Sequence, residues 1–246
     1  MKKFLAAALA LTMSLSASAV LAEDWKIVTD TAFRPFEWTD DTGTLVGIDI
    51  DILAAVAEDQ GFTYTISSIG WDASIAACQA GQADGMIAGA SITDARKASG
   101  WIFSDGYYNA TQSMAVAADA NITGFGDLRG TSVAAKIGTM SLEYANALAA
   151  EYNFTVTAFE SSPDIYQAVA SGVCAACFDD TPIMADYIKA NSIPLKLVDG
   201  TANEGADYGF AVFSSDKQAL VDAFNAGLAN IKANGKYDEI LAKYLN

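Results

Sequence analysis

Residues Gly85-Met86-Ile87-Ala88-Gly89-Ala90-Ser91-Ile92-Thr93-Asp94-Ala95-Arg96 carry an apolar strand pattern, then hydroxyls, then the opening of a helix. Thr93 is a good N-cap, Asp94 suits the positive end of the helix dipole, and Gly89 lets a ligand approach the backbone closely. Arg96 then stands beside backbone N–H groups that the first helical turn leaves free. A planar guanidinium next to such donors suits a carboxylate, which accepts a bidentate pair and further charge-assisted bonds. Alone, Arg96 reads as a solvated helix arginine and Ser91 as an ordinary turn residue.

Other positions change that reading. Asp30 closes a first strand, and Phe33 and Trp71 sit on loops at the same edge. Lys136-Ile137-Gly138-Thr139-Met140-Ser141 reads as strand, turn and helix start, a second anion-accepting geometry. Phe178-Asp179-Asp180-Thr181-Pro182 ends a strand with two carboxylates, and Pro182 suits the first turn of the helix that follows. Singly, the aromatics could be core and the aspartates caps. Together, an arginine and a helix end for a carboxylate, with an aspartate opposite for an ammonium, describe the constant part of an α-amino acid.

The chemistry the chain lacks is equally informative. It has no histidine, which removes Ser-His-Asp and Cys-His catalysis and nearly every zinc site. No catalytic residue, metal or cofactor is expected. Cys78, Cys174 and Cys177 are the three cysteines. A Cys-x-x-Cys pair invites a redox reading, but Val173 to Phe178 reads as a strand, where residues three apart lie about 10 Å apart, too far for a disulfide. Buried structural thiols are expected.

The elements that must position these groups follow from patterning along the 246 residues. Lys2 and Lys3, an apolar run from Phe4 to Leu15 and small residues up to Ala22 form a secretory signal peptide over residues 1–22, with Ala19 as the alternative cleavage point. No later run is apolar enough to span a membrane, and no cysteine precedes Cys78 to carry a lipid, so a freely diffusing exported protein is expected. Removing Lys2 and Lys3 leaves 12 basic against 30 acidic side chains, a net charge of −18. Such a surface repels nucleic acid and anionic lipid and argues against both as partners. One arginine and a helix end can still hold an anion locally, because the distant field is screened beyond about 10 Å.

Strands are expected over 26–30, 62–66, 85–90, 133–137, 173–178 and 210–213, and helices over 51–60, 75–80, 217–233 and 237–244, with Gly61 and Gly81 as stops. Ile75 to Gly89 and Tyr166 to Asp180 form a weak repeat of helix, glycine, strand and site, with Gly172 matching Gly81 and Asp180 matching Gly89. Two similar α/β lobes would thus each deliver strand ends to one cleft. Crossings near 107–111 and 206–209 divide the chain into lobe 1 (23–108 and 209–246) and lobe 2 (109–208).

In order along the mature chain, TDTAFRPFEW (29–38), VGIDIDI (46–52), SITDARK (91–97), FSDGYY (103–108), KIGTMS (136–141) and DDTP (179–182) resemble the periplasmic polar amino-acid-binding proteins of ABC importers, solute-binding protein family 3, with the glutamine-binding branch the most similar. The resemblance implies the type II periplasmic-binding-protein fold, two α/β lobes joined by two hinge strands and closing on one amino acid, and a monomer that delivers its ligand to an inner-membrane permease. It implies that Arg96 holds the ligand carboxylate with Ser91 and the Thr139-Met140 backbone, and that Asp180 holds the ammonium with the Gly89 carbonyl. Phe33 and Trp71 would sandwich the aliphatic part, and Asp30 and Lys136 would meet the side chain. Trp71, Asp179 and Met140 depart from the glutamine branch, which has phenylalanine, histidine and glycine there. Glutamine is the expected ligand, a basic amino acid the alternative. An exported arogenate or prephenate dehydratase on the same fold is the competing enzyme class, and a chemoreceptor partner a third.

Overall fold

The computed structural model describes residues 24–245; the signal peptide expected over 1–22 lies outside them. The chain enters through β1 (Asp24–Thr29), then a small antiparallel sheet of β2 (Ala32–Phe33), β3 (Glu37–Thr39) and β4 (Leu45–Val46). α1 (Ile48–Gln60), β5 (Thr63–Ser68), α2 (Trp71–Gln79), β6 (Gly85–Met86), α3 (Asp94–Ala98) and β7 (Ile102–Phe103) follow. After β8 (Tyr108–Ala110) come β9 (Gln112–Ala117), β10 (Ser132–Lys136), α4 (Met140–Tyr152), β11 (Thr155–Phe159), α5 (Ser162–Ala170), β12 (Ala176–Asp180), α6 (Thr181–Asn191) and β13 (Leu195–Leu197). β14 (Ala206–Tyr208) leads back to β15 (Ala211–Val212), α7 (Gln218–Ala233) and α8 (Lys236–Leu245).

These elements build a two-lobed mixed α/β fold. One five-stranded sheet has the order β5-β1-β6-β15-β7 and the other β11-β10-β12-β9-β13. In each, three neighbouring strands run parallel, and the next strand, β15 or β9, runs antiparallel to them. Between the sheets β8 and β14 pair antiparallel, Ala206 with Ala110 and Tyr208 with Tyr108. Parallel strands covered on both faces read as continuous apolar runs, and Val133 to Lys136 in β10 is buried at every position. On α7, Leu220, Phe224, Leu228 and Ile231 face the core, and Gly227 lets that helix lie so close to α1 that a Cβ would sit 2.8 Å from Val56. The expected repeat is present: α2, Gly81 and β6 correspond to α5, Gly172 and β12, with both glycines left-handed (φ 68° and 75°).

Four element boundaries differ from the sequence reading. α1 begins at Ile48, not near Asp51, because the Ile48 and Asp49 N–H groups donate to the Pro35 and Phe36 carbonyls at 3.0 Å, so the donors a helix start leaves unpaired already have partners. α2 begins at Trp71, which is therefore on a first helical turn and not in a loop; the polar Asp72 and Ser74 hide the apolar period, and Ser74 is buried with its hydroxyl on the Thr29 carbonyl at 3.0 Å. β6 is only Gly85–Met86, since Gly89 at φ 55° turns the chain out of the sheet. The strand expected over 173–178 is β12 at Ala176–Asp180, and Cys174 lies in the preceding turn. All three thiols are free and buried. Among the described residues no helix is long and apolar enough to cross a membrane.

Gly47 fixes the start of α1. Its φ is 139°, and an added Cβ would lie 2.0 Å from the Phe36 carbonyl oxygen. Gly47→Ala should lower stability by about 3 kcal/mol through strain and displacement of that carbonyl. Urea unfolding followed by circular dichroism checks this through a lower midpoint.

Candidate functional site

β1 and β6 of one sheet and β10 and β12 of the other end at the cleft between the lobes. There, a small cavity is lined by Phe33, Trp71, Ala88, Gly89, Ser91 and Arg96 from one lobe and by Lys136, Thr139, Met140, Asp179 and Asp180 from the other. Ten of the eleven residues expected from sequence meet at this cavity. Asp30 is the exception: it stands behind Lys136 and reaches the site through it.

Arg96 is placed by the helix end that the sequence predicted. The Thr93 hydroxyl caps α3 by accepting from the Arg96 backbone N–H at 3.1 Å. The guanidinium donates to the Ser91 carbonyl at 2.9 Å and across the cleft to the Gly138 carbonyl at 3.1 Å. Its Cζ lies 5.1 Å from the ring centres of both Trp71 and Trp101. Burial lowers its pKa while Glu143 and Asp180 oppose that effect, and a guanidinium remains charged under both influences. Trp71 Nε1 donates to the same Gly138 carbonyl at 3.2 Å. One carbonyl of lobe 2 thus receives two donors from lobe 1. Thr139 caps α4, accepting from the Leu142 N–H at 3.2 Å.

Lys136 closes β10, and its ammonium is paired with Asp30 beyond the end of β1. Both are nearly inaccessible, 2% and 4% exposed. Asp30 also accepts from the Thr31 N–H at 2.6 Å. The ammonium lies 5.1 Å from the Phe33 ring centre and 5.8 Å from that of Trp71, so the two expected aromatic walls flank it.

The two carboxylates at the end of β12 are well supplied with donors. Asp180 accepts from Gln112 at 2.7 Å, Ser141 at 3.2 Å and the Tyr208 hydroxyl. Burial raises its pKa and these donors lower it. Asp179 accepts from the Tyr166 hydroxyl at 2.6 Å and from the Asp180 N–H at 2.9 Å; burial, then the neighbouring Asp180 charge, push it up to about 6. Gly89 is pressed against Phe33, where an added Cβ would sit 2.5 Å from the ring. Of the contributors missed in sequence, Tyr208 lies in the return crossing and Gln112 is paired with Asp180 in the β9–β12 register. That register has no signal in local patterning. Trp101 and Tyr166 look like core aromatics until their contacts with Arg96 and Asp179 are seen.

The family described as bacterial extracellular solute-binding proteins, family 3, matches residues 25–246. A probable histidine-binding protein of Neisseria gonorrhoeae is 30% identical over 261 residues, covering 99% of this chain and 96% of the relative. An ancestral arginine-binding protein bound to glutamine is 32% identical with a TM-score of 0.83, covering 90% of this chain and 97% of that one. Substrate-binding domain 2 of Lactococcus lactis GlnP, in an open conformation, is 37% identical over 90% of this chain and 94% of its own, yet its TM-score is 0.62. In the present chain the Gly138 carbonyl and the Lys136–Asp30 pair join the two lobes.

Gly138 has φ 69°, and an added Cβ would lie 3.0 Å from Trp71 Nε1 and 3.1 Å from Asp72 Oδ1. Gly138→Ala should therefore hold the lobes apart. Small-angle scattering with saturating amino-acid ligand should give the variant a larger radius of gyration than the wild type, and equal radii would count against this contact as a closure point.

Proposed function

The chain belongs to the bacterial extracellular solute-binding proteins, family 3, and from that membership we propose that it captures a polar L-amino acid, glutamine first, in the periplasm and delivers it to the permease of an ABC importer. The observation that carries the choice of glutamine is the buried Lys136–Asp30 pair, of which Lys136 lines the cavity. Asp30 cancels the lysine's charge to first order but leaves its remaining N–H donors for an acceptor. A side-chain amide supplies that acceptor without adding charge. A lysine or arginine ligand would bury a net positive charge beside that neutralised pair, and a glutamate a net negative one. Either mismatch costs several kcal/mol, on the order of 3–5, in a closed, water-poor cleft.

The constant part of the ligand is assigned accordingly. Arg96, with Ser91 and the start of α4 at Thr139 and Met140, holds the carboxylate; Asp180 and the Gly89 carbonyl hold the ammonium; Phe33 and Trp71 enclose the aliphatic chain. The lobes hinge at 107–111 and 206–209, where β8 and β14 carry the two crossings. Closure then satisfies ligand contacts from both sides at once.

A basic amino acid is the second reading, supported by Asp179 at the cavity wall and by relatives described as histidine- and arginine-binding. Against it, Asp179 already accepts from a tyrosine hydroxyl and a backbone N–H. We assign no enzymatic step. A dehydratase needs a general acid aimed at a leaving group, and the carboxylates at the cavity wall are engaged by neighbouring donors. Incubation with arogenate or prephenate should yield no aromatic product.

Two variants test the assignment. Arg96→Ala should weaken glutamine binding by on the order of 3–5 kcal/mol with an unchanged circular dichroism spectrum, because a buried ligand carboxylate loses its partner. Lys136→Gln removes the cation and leaves Asp30 for the ligand to satisfy. In calorimetry it should shift preference toward arginine over glutamine by at least about ten-fold; an unchanged preference would remove the pair from the account of specificity.

A further inference from the structure

Behind the cleft wall two carboxyl groups meet out of contact with water. Glu37 in β3 and Asp49 in the first turn of α1 are both 0% exposed. Asp49 Oδ2 accepts from the Gly89 N–H at 2.8 Å and from the Tyr107 hydroxyl at 2.9 Å. Asp49 Oδ1 and both oxygens of Glu37 receive no N–H or other O–H donor. The two side chains are neighbours: the Asp49 charge acts on Glu37, and the Asp49 N–H donates to the carbonyl of Phe36, the residue before Glu37, at 3.0 Å. Charged groups facing Glu37 are Asp49, Asp30 and Lys136, and Asp49 faces Glu37 and the Tyr107 hydroxyl. Lys136 is engaged by Asp30.

Two neighbouring buried carboxylates cannot both be ionised here, since three of their four oxygens would be buried without a donor and like charges would repel. A single proton answers both difficulties. Asp49 has two donors that stabilise its anion and Glu37 has none, so the proton belongs on Glu37, with its O–H directed to Asp49 Oδ1.

We propose that Glu37 and Asp49 share one proton and act as the positioning pair of the binding site. The neutral Glu37 acid donates to the Asp49 anion, and that anion fixes both the Gly89 backbone at the cavity and the Tyr107 hydroxyl beside the first crossing. This rests on the reading of the cavity as the amino-acid site, because Gly89 matters to function only if its carbonyl faces the ligand. Gly89 is held at φ 55° against Phe33, with its N–H on the Asp49 carboxylate at 2.8 Å. Loss of the shared proton would set two anions against each other, push Asp49 away and release Gly89 and Tyr107 together.

The pH direction follows from burial, the largest effect on both groups, which raises Asp49 to about 7 and Glu37 well above the ordinary carboxyl range. Folded-state values above the unfolded ones mean that the folded protein holds more protons. The contribution to stability is therefore full below about pH 4 and is lost as pH rises through the folded values.

Infrared spectroscopy of the whole protein at about pH 8, above the values of about 6 for Asp179 and about 7 for Asp49, tests the proton directly. The wild type should show the deuterium-sensitive carbonyl stretch of a buried carboxylic acid, and Glu37→Gln, which keeps a neutral donor toward Asp49, should lose it. The proposal is overturned if the wild type lacks that band or if the variant retains it. Between about pH 6 and about pH 9 the melting temperature of the wild type should fall more steeply than that of Glu37→Gln; equal slopes overturn the proposal. Glutamine affinity should decline several-fold over the same range in the wild type and stay level in Glu37→Gln, while Asp49→Asn should bind at least about ten-fold more weakly throughout. If the infrared and melting results hold but no polar amino acid binds the wild type, the reading of the cavity fails and the shared proton stands.

Discussion

An ammonium from one lobe and a carboxylate from the other meet at the base of the cleft, and the removal of both from water constrains everything around them. Desolvating the Lys136–Asp30 pair costs several kcal/mol per ion, so the contact contributes little net stability by itself. Because Asp30 follows β1 and Lys136 ends β10, the pair forms only when the two sheets face each other at close range. In the proposed reading its value lies in selection: it presents a neutralised donor to the cavity and penalises ligands that bring net charge to that end.

The same constraint explains how the rest of the fold is disposed. Parallel strands in each sheet end at the cleft, and the antiparallel strands β9 and β15 lie next to the β8–β14 crossing. Strand termini leave backbone groups and short loops at one edge, where Arg96, Asp180 and the start of α4 can converge from separate parts of the chain. Aromatic rings from Phe33, Trp71 and Trp101 exclude water there, which strengthens each charge contact and makes an unpaired group costly. Cross-lobe bonds to the Gly138 carbonyl hold the two lobes in contact at this edge.

Local sequence carried the site further than it carried the elements that hold it. Thr93, Gly89, Thr139 and Pro182 each have a backbone role tied to residue type, so caps and turns at the cleft were legible, and the motifs in order supplied the family. Boundaries failed where tertiary contacts satisfy backbone donors: α1 starts early because the Pro35 and Phe36 carbonyls are waiting for it, and β6 ends early because Asp49 takes the Gly89 N–H. Asp30 carries the charge expected of it, but only the fold shows that Lys136 stands in front. Glu37 and Asp49 lie inside two separate motifs, twelve positions apart, and nothing local announces that both are buried away from water.

Isothermal titration calorimetry of the wild-type protein with glutamine, arginine, lysine, histidine and glutamate at one pH and ionic strength tests the central claim most directly. If the neutralised Lys136 donor sets selection, glutamine binds most tightly and the charged ligands follow by at least about ten-fold. Arginine, lysine or histidine binding more tightly than glutamine would contradict the account and assign selection to the carboxylates at Asp179 and Asp180.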